Sequence, residues 1–135
     1  MKKILALLTL GLFAAAATAG EYPDISITEL KTAIAAKKVT VVDANGTDTW
    51  QKGHIPTAID FAANKEKLAK VLPQDKNALV VAYCGGPSCM AYQAAAKAAK
   101  ELGYKNIKHL SAGISGWTSA GEKTEKGAEK KNKTS

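Results

Sequence analysis

The chain has 135 residues, of which 46% are hydrophobic and 23% are charged, so its length and composition suit one domain with its own core. Its formal net charge is +7, but all 19 basic residues are lysines. Nucleic-acid-binding proteins usually present arginines and exposed aromatic side chains on one face, so we expect no nucleic-acid partner.

The N-terminus has the three parts of a secretory signal peptide. Two lysines follow Met1, an apolar run covers residues 4–16, and Ala17-Thr18-Ala19 forms an A-x-A end. The apolar run is shorter than the about 20 residues that a membrane span needs. We therefore predict that residues 1–19 are a signal peptide cleaved after Ala19. The mature protein is then expected in the periplasm, without membrane insertion.

The remainder divides into one domain, residues 20–121, and a C-terminal tail, residues 122–135. The tail carries five lysines and three glutamates and has little apolar character. Such a composition is typical of a disordered, solvated extension, and we predict that structure for it. The sequence pattern specifies no oligomeric state.

Strands and helices alternate along the domain. A helix is expected after residue 26, with Ser26 or Thr28 as its N-cap and Glu29 completing a capping box if Ser26 is the cap. The predicted strands are 39–44, 78–83 and 106–110, and further helices are predicted at 64–72, at 91–102 and near residue 117. This alternation favours an α/β fold with a parallel sheet and helices on both faces. Along helix 91–102 we expect the sheet-facing residues to be Ala91, Ala94, Ala95, Ala98 and Leu102.

The two cysteines lie in one loop, between the strand at 78–83 and the helix that follows. Chemistry in parallel α/β sheets is found at the carboxyl ends of the strands, which is where Cys84 stands. Gly85 and Gly86 allow positive φ angles and exposed amides, so we expect the loop to form an anion cradle ahead of the helix. Residues Gly85, Gly86, Pro87, Ser88, Cys89 and Met90 would form this cradle, with Ser88 able to donate its hydroxyl. Such surroundings lower a thiol pKa, so Cys84 is the candidate nucleophile.

Five segments, in order, resemble the motifs of the rhodanese-like sulfurtransferases: VVDAN (41–45), GHIPTAI (53–59), YCGGPSCMAYQAA (83–95), LGYKNI (102–107) and GISGWTSAG (113–121). The resemblance covers about residues 24 to 121. It implies a rhodanese-like fold, a central parallel sheet with helices on both faces, and Cys84 as the catalytic cysteine. It also implies a persulfide on Cys84, which would take sulfur from a small anionic donor, thiosulfate or polysulfide, and pass it to a thiol or cyanide. We predict no cofactor.

The sequence departs from this family at two positions where relatives often have arginine. Cys89 stands five positions after Cys84, and Asn45 follows the aspartate motif. Without arginine, bidentate capture of a sulfonate is absent, so polysulfide or a protein persulfide is favoured over thiosulfate as donor. Lys52 is the one substitute that we consider. The missing arginine also weighs against the phosphatase and arsenate-reductase relatives of the fold.

Cys89 leaves two alternatives open. It could attack a persulfide on Cys84, release sulfide and leave a Cys84–Cys89 disulfide, or it could simply fill the space of an arginine. Two other functions therefore stand beside the sulfurtransferase: a thiol–disulfide redox protein that uses both cysteines, and a non-catalytic rhodanese-like sulfur-binding module.

Other polar and aromatic residues are assigned structural roles. Asp43, at a strand end, is expected to accept backbone N–H groups and support neighbouring loops, and His54 is likewise expected to support a loop. His109 has no metal-ligand spacing to His54 or to either cysteine, so no metal site is predicted. Trp50 and Trp117 are assigned to packing.

Overall fold

The computed structural model describes residues 22–128. The predicted signal peptide and residues 129–135 of the tail lie outside this range. Four parallel strands form one sheet in the order β2-β1-β3-β4. The strands are β1 (Thr40–Asp43), β2 (Ile59–Asp60), β3 (Val80–Tyr83) and β4 (Ile107–His109). The predicted parallel sheet is therefore confirmed, with β2 as an additional edge strand.

Six α-helices accompany these strands in the described range, with the first before β1 and the last after β4. They are α1 (Ile27–Ala35), α2 (Thr47–Lys52), α3 (Phe61–Asn64), α4 (Leu68–Val71), α5 (Tyr92–Glu101) and α6 (Gly113–Ser119), with a 3-10 turn at Lys65–Lys67 between α3 and α4. No helix within residues 22–128 has the length and apolarity needed to cross a membrane.

The side chains of the central strand β3 alternate between the two faces of the sheet, which explains why the protein has a core on each face. In β3, Val80 and Ala82 belong to one buried cluster, which contains residues of α3, α4 and α5. Val81 and Tyr83 belong to a second buried cluster, which contains residues of α1 and α6. Successive side chains of a strand point to opposite faces, so the continuous apolar run of β3 fills a core on each side. Helices cover both faces of the sheet, as predicted.

The start of α1 follows from its capping residues. The Glu29 amide donates to Ser26 Oγ at 3.1 Å, and the Ser26 amide donates to Glu29 Oε2 at 3.0 Å. This capping box satisfies two of the amides that a helix start leaves unpaired. Ser26, rather than Thr28, is thus the N-cap, and Leu30 is buried in the core.

Several boundaries differ from the sequence prediction. The strand β2 is not among the predicted strands, since a strand of two residues leaves no alternating pattern in the sequence. The helix expected at 64–72 is instead α3, a 3-10 turn and α4, since Asp60 caps a first helix at Phe61 by accepting from the Ala63 amide. The predicted sheet-facing side of α5 is confirmed in part: Ala95 is buried, and Ala98 and Leu102 pack against the core. Ala91 and Ala94 are exposed instead, and the other buried residues of the helix are Tyr92, Ala96 and Ala99.

The beginning of the predicted tail packs on the domain. His54 and Glu125 exchange two backbone hydrogen bonds, of 2.8 and 2.9 Å, and the Gly127 amide donates to the Gln51 carbonyl. A Cβ at Gly127 would lie 2.7 Å from the Trp50 ring, so glycine permits this close approach. Disorder from residue 122 is therefore the wrong description of residues 122–128. Charge composition predicts solvation but carries no information on such pairings.

Candidate active site

Cys84 lies where the sequence places it, directly after β3 at the carboxyl edge of the sheet. Its side chain is 1% exposed and belongs to the core cluster beneath α5. The strand register aligns Asp43 of β1 with Tyr83 of β3, so the ends of these two central strands meet beside the cysteine loop.

The loop from Cys84 to Met90 turns back on itself. The Cys89 amide donates to the Gly86 carbonyl at 3.1 Å, which closes a turn with Pro87 and Ser88 at its centre. Proline fits the second position of such a turn because its φ is fixed. The turn returns Cys89 towards Cys84. Their Cα atoms are 6.2 Å apart and the two sulfurs form a disulfide, within the Cα separation that such bonds accept.

The start of α6 fixes the start of this loop. The amides of Ile114 and Ser115 donate to the carbonyls of Cys84 and Gly85, each at 3.0 Å. Gly113 has a φ of 61°, and a Cβ there would lie 2.6 Å from the Gly85 carbonyl carbon and the Gly86 nitrogen. Close contact between two backbones therefore requires the glycine at 113.

The loop does not use the conformational freedom of its two glycines. Neither Gly85 nor Gly86 has a positive φ; among the described residues, Gly113 has one beside this loop. A Cβ at Gly86 would meet Ser115 Oγ at 3.5 Å, an ordinary contact. The amides of Gly85, Gly86, Ser88 and Met90 donate to no acceptor within residues 22–128. These amides are thus available to an anion, although neither glycine exposes them by a positive φ angle.

The Asp43 side chain lies on the opposite face of the sheet from that of Cys84. Its Oδ1 accepts from the Asn45 amide at 2.7 Å, and its Oδ2 accepts from the Tyr83 hydroxyl at 2.5 Å. The same hydroxyl accepts from the Ile55 amide at 3.0 Å. Burial raises the pKa of Asp43, and the hydrogen bonds from Tyr83 and Asn45 counteract part of that rise. The carboxylate therefore joins the loop after β1 to β3, and the Tyr83 hydroxyl joins the loop before β2 to the same strand.

His54 lies away from the cysteine loop, on the segment between α2 and β2. Its ring stacks on Trp50 with centroids 4.1 Å apart, and its Nδ1 lies 2.8 Å from the Trp50 carbonyl. A carbonyl only accepts, so Nδ1 carries the proton. Nε2 faces the Glu125 carboxylate at 3.9 Å. These contacts hold the segment between α2 and β2 against Glu125, whose backbone also pairs with that of His54.

Trp117 and His109 are buried, and Trp50 is partly buried. The Trp50 indole donates to the Ala58 carbonyl and the Trp117 indole donates to the Lys123 carbonyl, both at 2.8 Å. His109 stacks on Tyr92, and burial lowers its pKa. Residues 22–128 hold no group of three or more His, Cys, Asp or Glu side chains arranged for a metal ion.

Lys52, the lysine considered as a substitute for arginine, ends α2 and lines a cavity of about 850 Å³ together with Lys126. No residue of the cysteine loop lines that cavity. Asn45, Gly113, Ile114 and Ser115 contact the loop, and all four are uncharged. Sequence reasoning missed Tyr83, Gly113 and Ser115, of which only Gly113 left a signal, in the glycines of GISGW.

Comparison with known proteins gives concordant matches. A sequence model described as Rhodanese-like domain matches residues 26–120. An HTH-type transcriptional regulator of Mycobacterium tuberculosis is 36% identical over 110 residues, covering 78% of this chain and 47% of the regulator. The thiosulfate sulfurtransferase GlpE of Shewanella oneidensis is 32% identical over 102 residues, covering 73% of this chain and 95% of that enzyme.

A solved structure shows the same fold. The BH2092 protein from Bacillus halodurans matches with a TM-score of 0.67 and 28% identity, over 78% of this chain and 77% of that protein. This chain spans about half the length of the mycobacterial regulator and nearly all of the sulfurtransferase.

Proposed function

Because this chain belongs to the rhodanese-like domain family, we propose that it is a sulfurtransferase that carries sulfane sulfur as a persulfide on Cys84. The observation that supports the proposal is the position of Cys84, at the carboxyl end of β3, ahead of α5, with its carbonyl held by the Ile114 amide. The similarity to a thiosulfate sulfurtransferase over nearly its whole length supports the same chemistry.

The reaction requires Cys84 as a thiolate. The thiolate attacks the sulfane sulfur of the donor, forms a Cys84–sulfur bond and expels the shortened donor with the electron pair. A thiol or cyanide then attacks the outer sulfur of the persulfide, and the bond between the two sulfurs breaks to regenerate the Cys84 thiolate. The amides of Gly85, Gly86, Ser88 and Met90 donate to no acceptor among the described residues, and we propose that they stabilise the anionic sulfur in both states.

The proposed donor is a polysulfide or a protein persulfide in preference to thiosulfate. Thiosulfate carries a sulfonate-like end that is normally held by a cationic group, and arginine holds it in two hydrogen bonds. The chain has no arginine, and the residues that contact the loop are uncharged. A polysulfide or a protein persulfide has no sulfonate-like end, so its binding is weakened less by the absence of a cationic group.

The disulfide favours a second candidate function, a thiol–disulfide redox protein that uses Cys84 and Cys89. The two cysteines are bonded, and their Cα separation of 6.2 Å lies within the ordinary range. In that function the pair would exchange two electrons with partner thiols, and no sulfur would remain on the protein.

We further propose that the protein works in the periplasm after cleavage behind Ala19. The lysines and apolar run at the N-terminus support export. An oxidising compartment also suits a disulfide that is retained. Extraction of the periplasm tests both points: a chain that starts at Gly20 supports them, and a full-length chain held in the cytoplasm contradicts them.

Intact mass tests the function. Fully reduced protein is treated with polysulfide or with thiosulfate and weighed. The sulfurtransferase predicts a gain of one sulfur that Cys84→Ser abolishes and Cys89→Ser retains, with more uptake from polysulfide. A loss of two hydrogens, with no sulfur adduct on either the parent protein or Cys89→Ser, contradicts the sulfurtransferase and supports the redox protein.

A further inference from the structure

We propose that Cys89 is the sulfur at which an external thiol opens the Cys84–Cys89 disulfide. The incoming thiol becomes bonded to Cys89, and Cys84 leaves as the thiolate. This inference rests on the proposed function and adds a substrate class to it. An external thiol would open the disulfide and so make Cys84 available to accept sulfur.

Access to the two sulfurs differs. The Cys84 side chain is 1% exposed, buried in the cluster under α5, whereas Cys89 is only partly buried. Its neighbours Ser88 and Met90 are exposed, and Met90 is 59% exposed. Thiol–disulfide exchange depends on which sulfur a nucleophile can reach, so the approach from solvent favours Cys89.

The backbone also distinguishes the two residues. Cys84 follows β3, and its carbonyl accepts from the Ile114 amide of α6. Cys89 belongs to a turn that is closed by a single bond to Gly86. Cys89 can therefore move with an attached thiol while Cys84 stays in place.

Reduction of the disulfide takes two steps and consumes two thiols. The thiolate RS⁻ forms a bond to Cys89 Sγ, the Cys84–Cys89 bond breaks, and its electron pair passes to Cys84 Sγ. A second thiolate then attacks the sulfur of the bound R group and releases Cys89 as a thiolate, which water protonates. Two thiols are oxidised to RSSR, and the protein disulfide is reduced to two thiols.

The uncharged loop indicates which thiols are accepted. No residue from 84 to 96 carries a charge, and the residues that contact the loop are neutral. We therefore expect the protein to select thiols by access to Cys89 and not by their charge. Small monothiols are the class that reaches a sulfur in a surface turn.

The test traps the first intermediate. Air-oxidised protein is mixed briefly with glutathione, the free thiolate is alkylated with iodoacetamide, and peptide fragmentation locates both groups. We expect glutathione on Cys89 and the alkyl group on Cys84. Glutathione chiefly on Cys84, equal amounts on both cysteines, or two alkylated cysteines before glutathione is added each overturn the proposal.

Single-cysteine variants exclude rearrangement after the first attack. Cys84→Ser and Cys89→Ser are each converted to a mixed disulfide with thionitrobenzoate, and its release by glutathione is timed. Release from Cys89 is expected to be at least about tenfold faster than release from Cys84. Equal rates, or the opposite order, overturn the proposal. No sulfur donor is present in either experiment, so its failure is distinguishable from failure of sulfur uptake.

Discussion

At the scale of single residues, the Tyr83 hydroxyl joins three chain segments. It donates to the Asp43 carboxylate and accepts from the Ile55 amide, with both partners fully buried. Without this hydrogen bond, one oxygen of the buried carboxylate would have lost its water and gained no partner. An unpaired buried charge is costly. The hydroxyl of Tyr83 therefore supports the end of β1 and the loop before β2 at the same time.

Removal of this hydroxyl should be costly. Tyr83→Phe leaves an Asp43 oxygen and the Ile55 amide without partners, so we expect the free energy of unfolding to fall by about 2–4 kcal/mol. Urea denaturation measures the change. The matched control is Tyr104→Phe, which loses one hydrogen bond to the Pro73 carbonyl and should cost about 1 kcal/mol. Equal effects of the two substitutions would contradict the three-way role of Tyr83.

His109 should make stability depend on pH. Burial lowers its pKa, so the unfolded chain, with a pKa near 6.5, binds the proton more strongly than the folded chain. Stability is therefore lost as pH falls through about 6.5 towards the folded pKa. His109→Phe keeps an aromatic ring against Tyr92 and removes this loss.

Urea denaturation of the parent protein and of His109→Phe at about pH 7.5 and about pH 5.5 tests the point, since this range spans an ordinary histidine pKa. The variant should lose less stability between the two pH values. His54, the second histidine, is retained in both proteins and cancels from the comparison. The same loss in both proteins would show that His109 does not contribute.

At the scale of elements, the cysteine loop is held between α5 and α6. The strand end, the loop and α5 could be read from the sequence because an apolar strand, a glycine-rich turn and an alanine-rich helix are local patterns. The contribution of α6 could not, since the bonds from Ile114 and Ser115 join residues 30 positions apart in the sequence. The burial of Tyr92 in α5 could not be predicted for a related reason: its ring stacks on His109, a distant residue.

Gly113→Ala tests the contact between α6 and the loop. Its added Cβ would lie 2.6 Å from backbone atoms of Gly85 and Gly86, so the loop must shift. Uptake of sulfur by reduced protein should slow on the order of 10- to 100-fold, the effect of misplacing a reacting group by about 1 Å.

The control is Gly121→Ala. This glycine also has a positive φ, of 78°, but a Cβ there has no neighbour within 4 Å. Gly121→Ala should lower stability by about 1–2 kcal/mol because alanine resists this backbone conformation, and Gly113→Ala should cost more because its Cβ also clashes with the loop. Only Gly113→Ala should slow the sulfur uptake. Equal uptake by the two variants would mean that α6 does not position the loop.

At the scale of the whole molecule, the two-sided α/β architecture was predictable and the closing segment was not. Alternating strands and helices specify a parallel sheet, and the apolar runs 39–44 and 78–83 specify central strands. Residues 122–128 read as a charged extension, yet their backbone pairs with His54 and Gln51. Backbone pairing leaves little trace in side-chain composition, so this segment appears only in the structure.

Truncation measures what the segment contributes. A chain that ends after Gly121 loses the three backbone bonds to His54 and Gln51 and the carbonyl that accepts from the Trp117 indole. We expect a loss of about 1–3 kcal/mol of stability, and a red shift of tryptophan emission as Trp50 and Trp117 meet water.

The matched control ends after Ala128, which keeps every described contact and removes only residues 129–135. It should behave as the full-length chain does. If both truncated chains match the full chain in stability and emission, the segment does not stabilise the fold.

The bond between Tyr83 and Asp43 has an optical consequence. Burial, with the adjacent Asp43 carboxylate, raises the pKa of Tyr83 far above that of an ordinary phenol. In an alkaline titration this ring should stay silent in ultraviolet absorbance until the chain unfolds, and then ionise in a single step. The protein thus contains its own spectroscopic indicator of alkaline unfolding, and Tyr83→Phe should remove that step from the titration curve.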